Sequence, residues 1–403
     1  MKILFISTSC SNKKYKEVCK IRNQRLIDPQ QKFCNLFIEG LSNIKGIEID
    51  CLSAIPVSAS TTSKKIFFEE NEEIKRNLRY KYLPFKNGKI TRYVSLYLNS
   101  KKEVNKWIQA NPEEEKIIIC DALTYFITRS AQKVAKKKRI KIIGILTDLP
   151  LLSTNMKERK ESFIKKIGLK IFQYLTDYSL REYDAYIPLT ESLNKAINTL
   201  NKPYVIIEGF ADSQDSTIEK EHQNYIMYAG GVYEKYGLKT LVDAFIKLKR
   251  KDIDLYIFGE GSFVNEIIRL SKYHSNIYYK GCVSLEEIVK YEKKALLLVN
   301  PRPVNEEFSK YSFPSKTIEY MLSGTPVIST RLPGIPEEYF DYIYSFENDS
   351  VEGIKKTLEK ILLLDRVELI NKGIEAHNYV INYKNNIIMA KKIYKLIKNF
   401  IEE

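Results

Sequence analysis

The segment of this sequence best suited to chemistry lies between two predicted strands in the second half of the chain. It reads Asn300-Pro301-Arg302-Pro303 and then Tyr311-Ser312-Phe313-Pro314-Ser315-Lys316-Thr317-Ile318-Glu319. Pro314 suits the first turn of a helix, and Ser323-Gly324 followed by Pro326 ends that helix. The helix dipole disfavours Lys316 in the first turn, and a diphosphate held by the free N–H groups there would reverse this penalty.

Lys316 also has a second interpretation. It can form an ion pair with Glu319 three residues later, a common surface pair that contributes about 0.2–0.5 kcal/mol. The two interpretations are compatible because the pair can open when a ligand arrives. Glu319 lies on the same face as Lys316 and is placed to accept hydrogen bonds from vicinal hydroxyls, as acidic residues do for ribose in other nucleotide sites.

Length and composition bound the class of protein. The chain has 403 residues, 44% of them hydrophobic and 29% charged, which is typical of a globular protein with a substantial core. No run approaches the roughly 18 apolar residues of a membrane span, and the first residues are predicted as a buried strand instead of a signal peptide. The six cysteines form no C-x-x-C pair. This spacing indicates a protein of the reducing cytosol that has neither a structural zinc site nor disulfides.

Strand-like runs alternate with helical patterns along the whole chain, which predicts parallel sheets covered on both faces. We expect two doubly wound α/β domains, residues 1–210 and 211–382, joined in the polar stretch Asp212–Gln223, with a ligand between them. A C-terminal helix near 383–403 is expected to pack back on the first domain. A strand is predicted at Tyr204–Ile207, and Ala59–Lys89 is predicted as a long excursion from the first domain.

Positive charge is concentrated in the first half of the chain. Residues 1–205 hold 38 lysines and arginines against 21 acidic residues, whereas the remainder holds 27 against 29. Such asymmetry is typical of proteins that meet nucleic acid, an anionic membrane or an anionic substrate. No nucleic-acid motif is apparent, so nucleic acid is not expected as a partner.

The segment Lys157–Tyr178 is predicted as a basic amphipathic helix. Its apolar residues fall on one helical face: Phe163, Ile164, Ile167, Ile171 and Leu175. Its basic residues lie largely on the other: Arg159, Lys160, Lys165, Lys166 and Lys170. This pattern favours either a helix that rests on anionic lipid head groups or an ordinary surface helix that packs its apolar face inward.

The block around Lys316 resembles the nucleotide-binding signature of glycosyltransferase family 4, whose members have the GT-B fold of two facing Rossmann-like domains with a ligand cleft between them. Three further segments resemble family motifs in the expected order, over about residues 225 to 345. They are the diphosphate loop Tyr228–Leu238, the glycine turn Phe258-Gly259-Glu260-Gly261 and the base-contacting segment Lys280-Gly281-Cys282-Val283-Ser284. The resemblance implies donor binding by the second domain and acceptor binding by the first.

The resemblance implies a set of donor-binding residues. They are Gly230, Gly231, Lys235, Gly259, Gly281, Cys282, Arg302, Tyr311, Ser312, Phe313, Pro314, Ser315, Lys316 and Glu319. Two positions depart from the family pattern. The first glutamate of the family's Glu-x7-Glu pair falls on Tyr311, so a sugar-contacting carboxylate is missing or comes from Glu306 or Glu307. The arginine of the diphosphate loop falls on Gly231, which leaves Lys235, Lys316 and Arg302 as candidate cations.

In the first domain, Asp148 follows a predicted strand and is the candidate to position the acceptor hydroxyl or to stabilise charge on the sugar. Asp121 follows another strand and is a second candidate. Either can equally be a turn or helix cap. Many family members place a histidine near the reacting sugar, but the histidines here are His222, His274 and His377, all beyond the first domain. Asp148, Lys316 and Glu319 are therefore the expected catalytic residues.

The resemblance implies a retaining, metal-independent transferase that moves a sugar from a nucleotide-diphosphate-sugar to a hydroxyl, with no cofactor. The basic first half suggests docking to an anionic membrane and a saccharide or lipid-linked saccharide as acceptor. Assembly of surface polysaccharide or glycolipid in the cytoplasm, peripherally on the inner face of the cell membrane, is the expected setting. The alternative is a catalytically silent GT-B partner that scaffolds an active transferase.

Overall fold

The computed structural model describes residues 1–22, 29–149, 163–213, 218 and 223–402, with the side chains of residues 163–166 excepted. The chain divides into two compact units. The first unit is Met1–Phe210 together with Asn386–Glu403, and the second is Ala211–Asn385. Each unit has its own sheet of mainly parallel strands with helices between them, which confirms the predicted α/β class.

The first unit is built on a seven-stranded sheet. In spatial order its strands are β4 (Glu70–Lys75), β5 (Leu78–Tyr82), β2 (Glu48–Ser53), β1 (Lys2–Ser7), β7 (Lys116–Asp121), β8 (Ile142–Leu146) and β9 (Ala185–Pro188). Neighbouring strands are parallel except for β4, which is antiparallel to β5. The central strands are buried along nearly their whole length, as their continuous apolar sequences require.

Helices connect and cover these strands. They are α1 (Asn12–Ile21), α2 (Pro29–Ser42), α3 (Thr91–Ala110), α4 (Tyr125–Lys138), α5 (Phe163–Leu180), α6 (Glu191–Ile197) and the C-terminal α13 (Asn386–Glu402). Helix α13 packs on α2, while α4 packs on β1 and β7 and touches α3 and α5. Within the part of the chain that the structure describes, no helix has the length and apolar content needed to cross a bilayer.

Two predictions for the first unit are corrected by the structure. The segment Ala59–Lys89 is not a mere excursion, because β4 and β5 from it extend the main sheet, and β3 (Ile66–Phe67) pairs with β6 (Phe85–Lys86). The alternation Leu-Arg-Tyr-Lys-Tyr in β5 explains this, since Leu78, Tyr80 and Tyr82 are buried and the residues between them are not. The predicted strand at Tyr204–Ile207 is reduced to an isolated bridge between Tyr204 and Tyr186.

The second unit has a six-stranded parallel sheet. In spatial order its strands are β12 (Ile277–Gly281), β11 (Asp254–Phe258), β10 (Tyr225–Ala229), β13 (Leu297–Asn300), β14 (Val327–Ser329) and β15 (Tyr344–Ser345). Its helices are α7 (Leu238–Leu248), α8 (Val264–Ser271), α9 (Leu285–Lys294), α10 (Lys316–Leu322), α11 (Val351–Ile361) and α12 (Arg366–Tyr383). The order reverses between β10 and β13, and ligands of doubly wound sheets bind outside the strand ends at such a reversal.

Candidate functional site

Three glycine turns that follow β10, β11 and β12 lie side by side in the second unit. The N–H of Val232 in the first turn donates to the carbonyl of Glu260 in the second at 2.8 Å. The N–H of Gly259 in the second turn donates to the carbonyl of Gly281 in the third at 3.0 Å. The turns therefore form one continuous backbone edge at the carboxyl ends of these strands, where a phosphate or base can approach the main chain closely.

Close backbone approach explains two of these glycines. Gly259 has φ of +123°, and a Cβ there would lie 1.8 Å from the carbonyl oxygen of Gly230. Gly237, at the start of α7, has φ of +80°, and its Cβ would lie 1.9 Å from the carbonyl oxygen of Pro301. The second contact brings the segment Asn300–Pro303, which follows β13, against the turn after β10.

The side chain of Tyr320 fixes α10 to the same edge. Its buried hydroxyl accepts a hydrogen bond from the Ala229 N–H at 2.8 Å and lies 3.2 Å from the Ala229 carbonyl, to which it donates. Because Ala229 ends β10, this contact places the α10 residues Lys316 and Glu319 near the glycine turns.

Lys316 is held between two carboxylates. Its ammonium group lies 2.8 Å from Glu319 and 3.5 Å from Glu292, and its side chain is 31% exposed. Burial disfavours the charge of Lys316, but the two carboxylates outweigh burial and raise the pKa of its ammonium group above the ordinary value. The predicted pair with Glu319 is therefore present, and Lys316 carries its positive charge throughout the physiological pH range.

Arg302 lies among aromatic rings. Its guanidinium carbon is 5.3 Å from the ring centres of both Tyr236 and Phe308, and it donates a long hydrogen bond of 3.4 Å to the Ser312 hydroxyl. Burial raises the pKa of Tyr228, and the positive charges of Arg302 and Lys316 both oppose that rise. Tyr228 thus lies within electrostatic reach of both cations.

Lys235 completes a group that we call the cation cluster: Lys235, Arg302 and Lys316. The ammonium group of Lys235 is 5.8 Å from the ring centre of Tyr233 and 5.7 Å from that of Tyr236, the ring that Arg302 also contacts. Three cations can neutralise a diphosphate and stabilise the charge that develops on it when a bond to it breaks.

The other predicted donor residues lie in this unit with different surroundings. Tyr311 is half-buried at the end of a short 3₁₀ helix, Glu307–Lys310. Phe313 and Pro314 are buried, and Ser315 is exposed just before α10. Cys282 follows the third glycine turn and is half-buried. Of the two carboxylates proposed to replace the family's first glutamate, Glu306 is half-buried and Glu307 is exposed.

Asp148 and Asp121 lie in the first unit, after β8 and β7. The half-buried Asp148 carboxylate accepts the Leu149 N–H at 2.8 Å, and the buried Asp121 carboxylate accepts the Leu123 N–H at 3.3 Å. Both contacts are local turns of the kind predicted as the alternative. Of the histidines, His377 is buried with Nδ1 2.7 Å from the Leu322 carbonyl, and His222 falls outside the described residues.

Most of the second unit matches a known protein family. Residues 223–363 match the family model for glycosyl transferases group 1. The second unit carries a glycosyltransferase group 1 domain. The match contains every glycine turn, the cation cluster and Glu319. A search of the curated protein sequences gives no match.

Solved structures match both units of the chain. Sucrose-phosphate synthase from Thermosynechococcus elongatus is 12% identical, with a TM-score of 0.68 and full coverage of both chains. The Anabaena protein HepE in complex with UDP is 11% identical, with a TM-score of 0.62 and coverage of 99% and 100%. The lipopolysaccharide outer core galactosyltransferase WaaB is 14% identical, with a TM-score of 0.60 and 99% coverage of both. These matches confirm the predicted GT-B fold.

One residue that contacts Lys316 in the glycosyltransferase domain was not predicted from the sequence. Glu292 on α9 is 2% exposed and is the second carboxylate against Lys316. A signal for it exists, because Glu292 lies four residues after Ile288 and three before the buried Ala295, on the apolar face of its helix. A charged residue at such an inward position requires a partner of opposite charge.

We therefore expect Glu292→Gln to destabilise the glycosyltransferase domain by about 1–3 kcal/mol, because Lys316 keeps Glu319 but loses its more deeply buried counter-charge. Urea unfolding of the full chain measures the change. Glu286→Gln, an exposed position on the same helix, is the matched control and should change stability by less than about 0.5 kcal/mol. Equal stability of the two variants would contradict the assignment of Glu292 as a buried partner of Lys316.

Proposed function

We propose that the protein transfers a sugar from a nucleotide-diphosphate-sugar to a hydroxyl group of a saccharide or lipid-linked saccharide. The observation that carries this proposal is the cation cluster beside the glycine turns of a glycosyltransferase group 1 domain. The shared fold with HepE, whose structure holds UDP, supports a nucleotide diphosphate as the leaving group.

In this proposal the donor replaces one partner of Lys316. The diphosphate forms ion pairs with the ammonium group of Lys316 and the guanidinium of Arg302. The Glu319 carboxylate then accepts hydrogen bonds from the ribose hydroxyls. The backbone around Gly281 and Cys282 receives the base. As the bond from the sugar to the diphosphate breaks, the cation cluster stabilises the negative charge that builds on the leaving group. Three cations make the same contribution as a metal ion, which supports a metal-independent reaction.

The finer parts of the proposal come from the family resemblance. Transfer retains the configuration of the sugar, and Asp148 in the first unit positions the acceptor hydroxyl. The setting is surface-polysaccharide or glycolipid assembly in the cytoplasm, peripherally on the inner face of the membrane. The fold shared with a lipopolysaccharide galactosyltransferase and the positive charge of residues 1–205 support this setting.

A second candidate function is that of a catalytically silent partner of an active transferase. Two observations favour it: Tyr311 stands where the family has its first glutamate, and Gly231 stands where it often has an arginine. The two functions differ in whether the cation cluster binds and turns over a donor.

The proposed function predicts that one nucleoside diphosphate or its sugar conjugate stabilises the glycosyltransferase domain against heat. A ligand present at 100 times its dissociation constant adds about 2.7 kcal/mol. For a domain of this size that raises the melting temperature by roughly 5–10 °C. Thermal unfolding of the full chain against a panel of uridine, adenosine, guanosine and thymidine diphosphates and their sugar conjugates measures the shift and identifies the base.

Glu319→Ala in the same assay separates donor binding from nonspecific stabilisation. Loss of hydrogen bonds from a carboxylate to ribose should weaken the stabilising nucleotide about 10- to 100-fold. Glu352→Ala is the matched control, because Glu352 is also paired with a lysine three residues away, Lys355 at 3.3 Å. Unchanged affinity in Glu319→Ala would remove the ribose assignment. Absence of stabilisation by any nucleotide would contradict the transferase proposal and favour the silent partner.

A further inference from the structure

Helix α5 of the first unit is amphipathic with its apolar side facing outward. Five large apolar or aromatic residues, spaced so that they share one side of the helix, are between 41% and 71% exposed: Ile167, Ile171, Tyr174, Leu175 and Tyr178. The buried positions include Thr176 and Ser179, and Ser179 is hydrogen-bonded to Gln132 on α4. Ser179 donates to the Gln132 side chain at 2.7 Å, and the Gln132 amide donates to the Ser179 carbonyl at 2.8 Å. For Ile167, Ile171 and Leu175 the interpretation of an inward apolar face is therefore wrong, whereas residues 157–162 and the side chains of Phe163 and Ile164 lie outside the described part of the chain.

The exposed side of α5 continues across α4 to α3. The ring of Phe172 on α5 is stacked 5.8 Å from Phe126 on α4, whose ring is 4.3 Å from Tyr93 on α3. Beyond Tyr93, the α3 residues Val94 and Leu98 are 52% and 56% exposed. We call this surface, from Leu98 to Tyr178, the apolar outer face. Single exposed apolar residues are common on proteins, but a contiguous patch marks an interaction site.

The helices that carry the apolar outer face are rich in positive charge. Lysine and arginine occur twelve times in α3, α4 and α5, whereas Glu103 and Asp177 are the two acidic residues in these helices. Three cations lie directly over aromatic rings: Arg92 over Tyr93 at 5.5 Å, Arg129 over Tyr178 at 5.1 Å and Lys133 over Tyr97 at 5.7 Å. Aromatic rings mixed with lysine and arginine are typical of surfaces that lie at the head-group level of a bilayer.

We propose that the apolar outer face docks on an anionic lipid bilayer, with its aliphatic and aromatic side chains in the head-group region and its cations on the lipid phosphates. Charge complementarity favours this occupant over a second copy of the chain, because two such faces would bring like charges together. The proposal deepens the proposed function by assigning the surface through which the enzyme reaches a lipid-linked acceptor. Only the purpose of the surface, reaching a lipid-linked acceptor, rests on the proposed function; binding to a bilayer does not.

Vesicle flotation of the full chain tests the docking surface without donor or acceptor. The protein should float with vesicles of phosphatidylcholine and phosphatidylglycerol, and less with phosphatidylcholine alone or at high salt, where charges are screened. The variant Ile171→Glu with Tyr174→Glu should bind the anionic vesicles about tenfold or more weakly. Both side chains are exposed, so thermal stability and nucleotide binding should stay unchanged.

A matched control carries the same charge change elsewhere. Val367→Glu with Tyr273→Glu alters side chains of 62% and 75% exposure in the second unit, against 56% and 71% for Ile171 and Tyr174. The control should float like the unaltered protein. Equal flotation of the two double variants, or no flotation of the unaltered chain, would overturn the proposal. So would light scattering that shows a dimer lost only in the α5 variant, because the face would then bind a second copy.

Discussion

Replacing Lys316 by alanine should lower the rate of sugar transfer about 100- to 1,000-fold, the usual loss when one group that stabilises developing negative charge is removed. The reason is local: Lys316 is the cation of α10, 2.8 Å from Glu319, and Tyr320 of the same helix is hydrogen-bonded to Ala229 just before the first glycine turn. Steady-state release of nucleoside diphosphate measures the effect. Lys310→Ala, an exposed lysine six residues earlier, is the control and should retain nearly full turnover.

The same substitution has a structural cost that must be separated from catalysis. Without Lys316, the buried Glu292 carboxylate loses the cation that lies 3.5 Å away, and the domain should lose about 1–3 kcal/mol of stability. The double variant Lys316→Ala with Glu292→Gln removes both charges and should recover most of that stability. Turnover should stay low in the double variant. If turnover returned together with stability, Lys316 would be a structural residue and the proposed role on the diphosphate would be wrong.

The order of the secondary structure elements could be predicted because most of them have strong local signals. Helix α10, for example, ends at Leu322, directly before the Ser323-Gly324 pair that the sequence marks as its end. The short strand β5 was missed, since its five residues alternate between apolar and charged and lie in a stretch without other periodicity. Its place in the sheet depends on parallel pairing with β2, nearly thirty residues earlier along the chain, which no local pattern encodes.

In the site, too, residues within continuous motifs could be predicted from the sequence, whereas a residue that depends on packing between distant elements could not. Turn glycines, Lys316 and Glu319 stand in motifs that are continuous in sequence. Glu292 does not, because it meets Lys316 only when α9 and α10 pack in the same domain. Helix α5 shows a further limit: periodicity predicts an apolar face but not the direction in which it points. Here hydrogen bonds from Ser179 to Gln132 take the inward side, and the apolar side is left exposed.

The substitution Gly259→Ala should destabilise the second unit by about 3–5 kcal/mol, among the largest effects of a single methyl group. Two causes add. The φ of +123° is a conformation that residues with a Cβ rarely adopt, and the new methyl group would lie 1.8 Å from the backbone oxygen of Gly230. Relief requires the first and second glycine turns to separate. Calorimetry of the full chain should show the transition of this unit lowered by about 10 °C.

Gly281→Ala distinguishes the two causes. Gly281 also has a positive φ, +73°, but a Cβ there meets no atom within 4 Å. It should therefore cost only the conformational strain, about 1 kcal/mol. The stability that Gly259→Ala loses beyond the loss in Gly281→Ala measures the clash of the new methyl group with the carbonyl oxygen of Gly230 in the neighbouring turn. Nucleotide binding should fall with Gly259→Ala even at temperatures where the unit stays folded, because the edge that receives the diphosphate is opened. Equal melting temperatures for the two variants would show that the turns are not held together by this contact.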